Sequence, residues 1–133
     1  MLKSGGISYE YNATNQEVSH GYLKPVIDNL VSSFPAGTRV LDMGCGNGSF
    51  ISLYRDRGWT LHGTDFSTSG IEIAKANFPD ISFVLADSQT STDELLDRMG
   101  RMDLIISTEV VEHLYDPRAF LRTAHTLLRP GGG

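Results

Sequence analysis

The chain of 133 residues has little of what marks several broad classes of protein. Its one cysteine, Cys45, excludes an intramolecular disulfide and a multi-cysteine metal site, and it fits a reducing compartment. No apolar stretch approaches the roughly 18 residues of a membrane span, and the N-terminus lacks the apolar region of a signal peptide. We therefore expect a soluble, unprocessed, cytoplasmic protein without a metal site.

Basic residues are also scarce, since 11 Lys and Arg stand against 16 Asp and Glu and form no cluster. Nucleic-acid binding is disfavoured because it needs a basic stripe that neutralises phosphates. The remaining composition, 40% hydrophobic and 20% charged, is ordinary for one globular domain. We expect a single domain over residues 1–133, with a lead-in and helix over about 1–35 and a β/α core over about 36–133.

Short β-rich apolar runs alternate with longer helical segments. The runs predict strands at Arg39–Met43, Thr60–Thr64, Ser82–Leu85 and Asp103–Ser107. Each link is too long for a hairpin and long enough for a crossover helix, so the strands should be parallel. The predicted fold class is α/β with a doubly wound, mainly parallel sheet. Four parallel strands leave one sheet edge open, and self-association through that edge is expected.

Capping signals locate the helices between these strands. Apolar residues at helical spacing from Leu23 to Phe34 predict a helix that precedes the first strand and covers the sheet. Three later helix starts are predicted from an N-cap followed by proline and from two capping boxes, namely Asp116-Pro117, Ser69 with Glu72, and Ser91 with Glu94.

The strongest local signal is the run VLDMGCGNG from Val40 to Gly48. A buried strand enters a turn with glycine at every second position, and a helix should begin near Ser49. Glycines allow a positive φ and close approach of the backbone to a ligand, while a helix N-terminus offers unpaired N–H groups. The run therefore predicts a polar cofactor at this turn.

The spacing separates two cofactor classes. The dinucleotide pattern G-x-G-x-x-G needs a small residue at the position of Ser49, whereas here the third glycine, Gly48, comes one residue early. Asp42 precedes the first glycine by two residues, where a carboxylate hinders a pyrophosphate. An NAD-dependent oxidoreductase is therefore disfavoured, and a cofactor competition would discriminate the two classes.

The arrangement Asp42-x-Gly44-x-Gly46-x-Gly48 resembles the first motif of class I S-adenosylmethionine-dependent methyltransferases. Later segments match in order. Asp65 directly follows the second predicted strand, 21 residues after Gly44, where a carboxylate from the neighbouring strand accepts both ribose hydroxyls. The segment from Thr108 to Pro117, TEVVEHLYDP, is similar to the Glu-His-x-x-Asp-Pro run of the ubiquinone-biosynthesis type of methyltransferase, and LLRPGG near the C-terminus resembles the family's turn into a fifth strand.

The resemblance implies S-adenosylmethionine as cofactor, with S-adenosylhomocysteine as product, and a Rossmann-like core. It assigns ribose to Asp65, packing near the adenine to Phe66, and the adenine amino group to Asp87. The other cofactor-binding positions that it implies are Asp42, Gly44, Cys45, Gly46, Gly48, Ala86, Ser88, Ser107 and Thr108.

The implied reaction is methyl transfer to a small molecule, with oxygen as the favoured acceptor atom. A hydroxyl acceptor must lose a proton, and His113 near the mouth of the site is the candidate base. Alternatively, His113 only supports the loop after the fourth strand, with Glu112 beside it. The two interpretations are equally weighted on sequence alone.

The resemblance extends from about Tyr22 to the end, but the family normally continues with strands five to seven, which carry part of the substrate pocket. We therefore expect a C-terminally truncated core that lacks the family's last strands. A non-catalytic or partial cofactor-binding domain stays an alternative to an active enzyme.

Overall fold

The computed structural model describes residues 24–87, 89–107 and 117–133. Its strands are β1 (Arg39–Met43), β2 (Thr60–Asp65), β3 (Ser82–Leu85) and β4 (Leu104–Ile106). Its helices are α1 (residues 24–31), a 3-10 helix (Ile51–Arg57), α2 (Thr68–Asn77), α3 (Thr92–Met99) and α4 (Pro117–Leu127). The four predicted strands are confirmed, with differences of one residue at the ends of β2 and β4.

The four strands form one parallel sheet in the order β3-β2-β1-β4. Asp42 of β1 lies opposite Gly63 of β2 on one side and Ile106 of β4 on the other. The strand order reverses between β1 and β4, which makes their carboxyl ends the switch point at which open α/β sheets bind ligands. The predicted doubly wound α/β fold is confirmed.

Both faces of the sheet are covered, as the alternation of side chains along β1 requires. Val40 points to the layer of α1, the 3-10 helix and α2, where it joins Ile27, Ile51 and Ile71. Leu41 points to the opposite layer of α3 and α4. The core of that second layer comprises Leu41, Met43, Val84, Leu95, Met99, Met102 and Leu127. Burial on both faces explains the continuous apolar runs FVL of β3 and LII of β4.

Two of the predicted helix starts differ from those in the structure. The N-cap of α2 is Ser67, whose Oγ accepts a hydrogen bond from Gly70 N at 3.0 Å, so the prediction of Ser69 as cap was wrong. Ser67 has the extended backbone that an N-cap needs, whereas Ser69 already lies in the first turn. The helix expected near Ser49 is a 3-10 helix that begins at Ile51.

The other predicted starts agree with the structure where they are described. The Oγ of Ser91 accepts a hydrogen bond from Glu94 N at 3.1 Å and caps α3 as predicted. The last helix begins at Pro117, as expected for proline in a first helical position. Its predicted cap, Asp116, lies outside the described residues.

A cluster of aromatic and charged side chains connects α1 with the 3-10 helix through stacking, cation–π contacts and ion pairs. Tyr54 stacks on Trp59 with ring centroids 5.7 Å apart, and the guanidinium of Arg57 lies 5.3 Å from the Tyr54 centroid and 5.0 Å from that of Trp59. Asp28 of α1 pairs with Arg57 at 3.3 Å and with Lys24 at 2.8 Å. These contacts hold the layer that lies beneath the turn after β1.

The free edge of β4 is partly covered by the end of the chain itself. Gly133 N donates to Asp103 O at 2.9 Å, and Ile105 N donates to Gly133 O at 2.7 Å, which is the bonding pattern of parallel strands. The β4 edge of the sheet is therefore paired at the first half of β4. Among the described residues, no helix has the length and apolar character needed to cross a membrane.

His62 is a buried polar side chain in the middle of β2. It is 6% exposed, and neither ring nitrogen has a hydrogen-bond partner among the described residues. Burial, with a smaller contribution from the charge of Arg39, lowers the pKa of His62 to about 4. Folding therefore favours the neutral imidazole.

We expect His62 to make the fold sensitive to acid. The unfolded chain takes up this proton near pH 6.5, so the stabilisation is complete above that pH and is lost as the pH falls towards 4. Between pH 7 and pH 4 the loss from this group should be about 2–3 kcal/mol in the free energy of unfolding.

Urea unfolding across this pH range measures the effect. His62→Met should remove that part of the acid dependence, whereas the matched change His125→Gln on the exposed face of α4 should retain it. Equal acid dependence in wild type and His62→Met would contradict the assignment.

Candidate functional site

The turn after β1, residues 44–48 and hereafter the glycine loop, folds across the end of β2. Gly44 N and Cys45 N both donate to the carbonyl oxygen of Thr64, at 2.7 and 2.9 Å. The three glycines have positive φ, with 89° at Gly44, 58° at Gly46 and 84° at Gly48. L-residues with a Cβ adopt such values at a cost, so the alternating glycines are what allow this path.

Gly46 and Gly48 are glycines for different reasons. A Cβ built at Gly46 would meet nothing within 4 Å, so the backbone there borders open space. A Cβ built at Gly48 would lie 2.7 Å from Cζ of Phe83, so that position is filled by the core. Gly46 is therefore the part of the loop that a ligand can approach closely.

Asp65 at the end of β2 connects three segments of the site. Its Oδ1 accepts a hydrogen bond from Gly46 N at 3.2 Å and its Oδ2 accepts one from Ser67 N at 3.0 Å. Its backbone oxygen accepts a hydrogen bond from Ala86 N, after β3, at 2.9 Å. The carboxylate is 8% exposed, and burial raises its pKa despite the two N–H donors.

Asp42 and Cys45 lie beneath the loop. Asp42, at the carboxyl end of β1, is 2% exposed. Cys45 is buried as well, and its Sγ donates to Gly46 O at 3.6 Å. Burial, followed by the negative charges of Asp42 and Asp65, raises the pKa of the Cys45 thiol far above its usual range. The thiol is therefore a packing group rather than a nucleophile.

The predicted adenine-binding positions lie at the ends of β2 and β3. Phe66 directly follows Asp65 and is 68% exposed, so its ring is free to receive a planar ligand. Ala86 is half-buried and Asp87 is exposed. The Oδ1 of Asp87 accepts hydrogen bonds from Gln89 N at 2.8 Å and Thr90 Oγ1 at 3.2 Å, which stabilise its own turn.

The carboxyl end of β4 completes the described part of the site. Ser107 follows Ile106, the partner of Asp42 in the sheet, and its buried Oγ has no hydrogen-bond partner in the described part of the chain. The predicted site residues Ser88, Thr108 and His113 lie outside the described residues. Among residues 24–87, 89–107 and 117–133, no group of three or more His, Cys, Asp or Glu side chains is placed to hold a metal ion.

Three contributors were missed at the sequence level. The carbonyl of Thr64 and the N–H of Ser67 are backbone groups, which a pattern of side chains does not reveal. Phe83 reads as an ordinary apolar residue of a buried strand, and no local signal distinguishes it.

Comparison with known proteins identifies the family to which the chain belongs. The family model described as a methyltransferase domain matches residues 15–133. The chain belongs to the class I S-adenosylmethionine-dependent methyltransferases. The resemblance drawn from the glycine loop and from the segments that follow it is thus confirmed, and S-adenosylmethionine is the cofactor of this family.

Curated relatives of this chain include two enzymes named as ubiquinone biosynthesis O-methyltransferases. The one from Brucella melitensis is 34% identical over 96 residues, which are 72% of this chain and 39% of the relative. The one from Pseudomonas aeruginosa is 30% identical over 98 residues, which are 73% of this chain and 42% of the relative. The chain thus spans about two fifths of the length of these relatives.

Solved structures share the fold. An amino pentose methyltransferase from Micromonospora echinaspora, solved with S-adenosylmethionine bound, has a TM-score of 0.70 at 20% identity, covering 94% of this chain and 56% of that one. An S-adenosylmethionine-dependent methyltransferase from Mesorhizobium loti has a TM-score of 0.66 at 28% identity, covering 83% and 50%.

Burial of the Asp65 carboxylate should change how the free energy of unfolding of the protein depends on pH. Because the pKa of Asp65 is raised in the folded state, folding favours its protonated form. Its stabilising contribution is present below the unfolded pKa of about 3.9 and is lost as the pH rises through the folded value.

Asp65→Asn removes this dependence. From about pH 4 upwards, the free energy of unfolding of the wild type should therefore fall relative to that of the variant. Urea unfolding of both proteins at a series of pH values measures the difference, and parallel pH curves would contradict the burial argument.

Proposed function

We propose that the protein binds S-adenosylmethionine at the carboxyl ends of β1, β2 and β3, and transfers its methyl group to a hydroxyl oxygen of a small molecule. One observation carries the cofactor assignment: the buried Asp65 carboxylate lies against the N–H of Gly46, where the glycine loop borders open space. The family membership supports the same assignment.

The residues present fit this cofactor. A carboxylate has about four acceptor positions, and those of Asp65 used within the chain accept Gly46 N and Ser67 N. The remaining capacity suits two vicinal ribose hydroxyls, which donate hydrogen bonds. The exposed ring of Phe66 is next to this position and would pack on the adenine, while Asp87, with Ala86 and Ser88, would receive the adenine amino group.

Methyl transfer to a hydroxyl oxygen requires the protein mainly to align the acceptor and to remove its proton. Bound S-adenosylmethionine supplies a methyl group that its sulfonium already activates. The chain must then hold the acceptor oxygen in line with that methyl group, exclude water and take up the hydroxyl proton. We assign the proton to the imidazole of His113, and contacts near the methyl donor to Ser107 and Thr108, which follow β4.

Oxygen as the acceptor atom is supported by the curated relatives, whose names specify O-methylation. The acidic net charge of −5 supports a small molecule over a nucleic acid, and the single buried thiol supports a cytoplasmic location. A partial domain that binds the cofactor without turnover is the second candidate, because the chain matches only 39 to 42% of the length of those relatives.

Calorimetric titration with S-adenosylhomocysteine tests the cofactor site. We expect micromolar binding, and no binding of NAD under the same conditions. Asp65→Ala should weaken the affinity about 100-fold, because each hydrogen bond to a charged acceptor contributes about 1.5 kcal/mol or more, and 1.4 kcal/mol is a factor of ten.

The matched control is Asp80→Ala, which removes an exposed carboxylate paired with Arg55 at 3.0 Å, away from the glycine loop. Its affinity should equal that of the wild type. Equal affinities of wild type and Asp65→Ala would contradict the ribose assignment.

Methyl transfer is tested with S-adenosylmethionine labelled at the methyl group and pairs of aromatic acceptors that differ only in a hydroxyl or amino substituent. Label should appear on the hydroxyl member of a pair, and His113→Ala should lower that turnover about 100-fold without a matching loss of cofactor affinity. His125→Ala is the control. Transfer to the amino member alone would refute oxygen specificity, and cofactor binding without any transfer would favour the partial domain.

A further inference from the structure

Phe83 of β3 lies in the row of the sheet that leads to the glycine loop, although it is two strands away from β1. In the parallel register it faces Gly63 of β2, and Gly63 faces Asp42 of β1. The ring is 5% exposed and belongs to the core beneath the loop. The ring lies close to two glycines, Gly63 of β2 and Gly48 of the loop.

The ring occupies space that Gly63 leaves free. A Cβ built at Gly63 would lie 2.8 Å from Cδ1 and 2.9 Å from Cε1 of Phe83, and also 2.8 Å from Sγ of Cys45. Such separations are below van der Waals contact, so a methyl group has no room there. Phe83 and the loop residue Cys45 therefore share the space over Gly63.

The outer edge of the same ring reaches the far end of the loop. A Cβ built at Gly48 would lie 2.7 Å from Cζ and 3.1 Å from Cε1 of Phe83, and 3.2 Å from Cβ of Ala74 in α2. The backbone of the loop thus lies against the ring at Gly48, and α2 closes the other side. One aromatic side chain therefore lies against the loop at Gly48 and shares with Cys45 the space over Gly63.

Polar contacts also hold the loop. Gly44 N and Cys45 N bond to Thr64 O, and Gly46 N bonds to Asp65 Oδ1. The last of these, at 3.2 Å, is at the long end of the normal range, so a small displacement of the loop would break it. The position of Gly46 N–H therefore depends on what supports the loop from below.

We infer that Phe83 is a positioning residue for the cofactor site, whose ring sets the height at which the glycine loop crosses the end of β2. This inference rests on the proposed function, because the loop is its cofactor-binding element. A smaller side chain would leave a cavity under the loop, and the ring contacts at Gly48 and over Gly63 would be lost.

Matched substitutions separate positioning from general stability. Phe83→Leu and Phe83→Val replace the ring under the loop by a smaller side chain. Phe78→Leu and Phe78→Val make the same changes at the end of α2, in a residue that packs against the same core cluster. All are compared at a temperature where circular dichroism shows each variant folded.

The first readout is the affinity for S-adenosylhomocysteine. We expect about a tenfold loss in the Phe83 variants, the equivalent of one hydrogen bond, and wild-type affinity in the Phe78 variants. Phe83→Leu is the conservative form that keeps the measurement possible if Phe83→Val unfolds.

The second readout needs no ligand. Amide hydrogen exchange of Gly44, Cys45 and Gly46, followed by nuclear magnetic resonance, should be faster in Phe83→Leu and unchanged in Phe78→Leu. Suppose that the wild type binds no S-adenosylhomocysteine but the loop amides exchange faster in Phe83→Leu. The missing affinity would then refute the cofactor proposal, and the faster exchange would still support the positioning role. Unchanged loop exchange together with unchanged affinity would overturn the positioning role.

A double-mutant cycle gives an independent check. Gly63→Ala should weaken binding by crowding the ring, and the added methyl should be less harmful in the Phe83→Val background, where the ring is absent. Strict additivity of the two changes would overturn the shared-space argument, because residues that compete for one space couple energetically.

Discussion

The hydrogen bond from Gly46 N to the carboxylate of Asp65 is the contact on which the site depends. It joins the turn after β1 to the side chain at the end of β2, and it adds to the two bonds that Gly44 N and Cys45 N donate to the carbonyl oxygen of Thr64. The bond requires a buried carboxylate, and burial raises the pKa of that carboxylate even though two N–H groups point at it. The fold therefore includes a carboxylate whose ionised form burial disfavours, a feature that is common among groups at functional sites.

The distribution of buried polar side chains supports that view. Of the buried polar residues in the described chain, Asp42, Thr64 and Asp65 lie at the carboxyl end of the sheet. A parallel sheet with helices on both faces places all its carboxyl ends along one edge, so these groups converge although they come from different strands. Polar groups that a core would normally exclude are concentrated along the carboxyl edge of the sheet, at the ends of β1 and β2.

Patterns that are local in sequence were sufficient for the strands, their parallel direction and the turn with alternating glycines, whereas the assignment of the cofactor-binding residues stays a prediction. Strand spacing and the glycine run predicted β1 to β4 and the loop, because alternation of apolar runs and capping signals depends on near neighbours. The cap of α2 was assigned to Ser69 instead of Ser67, because both serines offer a hydroxyl and only the backbone conformation selects between them. The contact between Phe83 and the glycine loop could not be read from the sequence, because it depends on strand register and on the missing side chain of Gly63.

The glycine spacing distinguishes this loop from a dinucleotide-binding turn. The second and third glycines are required for different physical reasons. Gly46 combines a positive φ with open space, which is what close approach of a ligand requires. Gly48 combines a positive φ with a filled space, because the ring of Phe83 lies where its Cβ would be. The third glycine is thus a packing requirement set by an aromatic residue two strands away, and its place in the motif follows from where that ring reaches the backbone. The spacing of the glycines in this motif therefore depends on the core beneath the loop as well as on the open space beside Gly46.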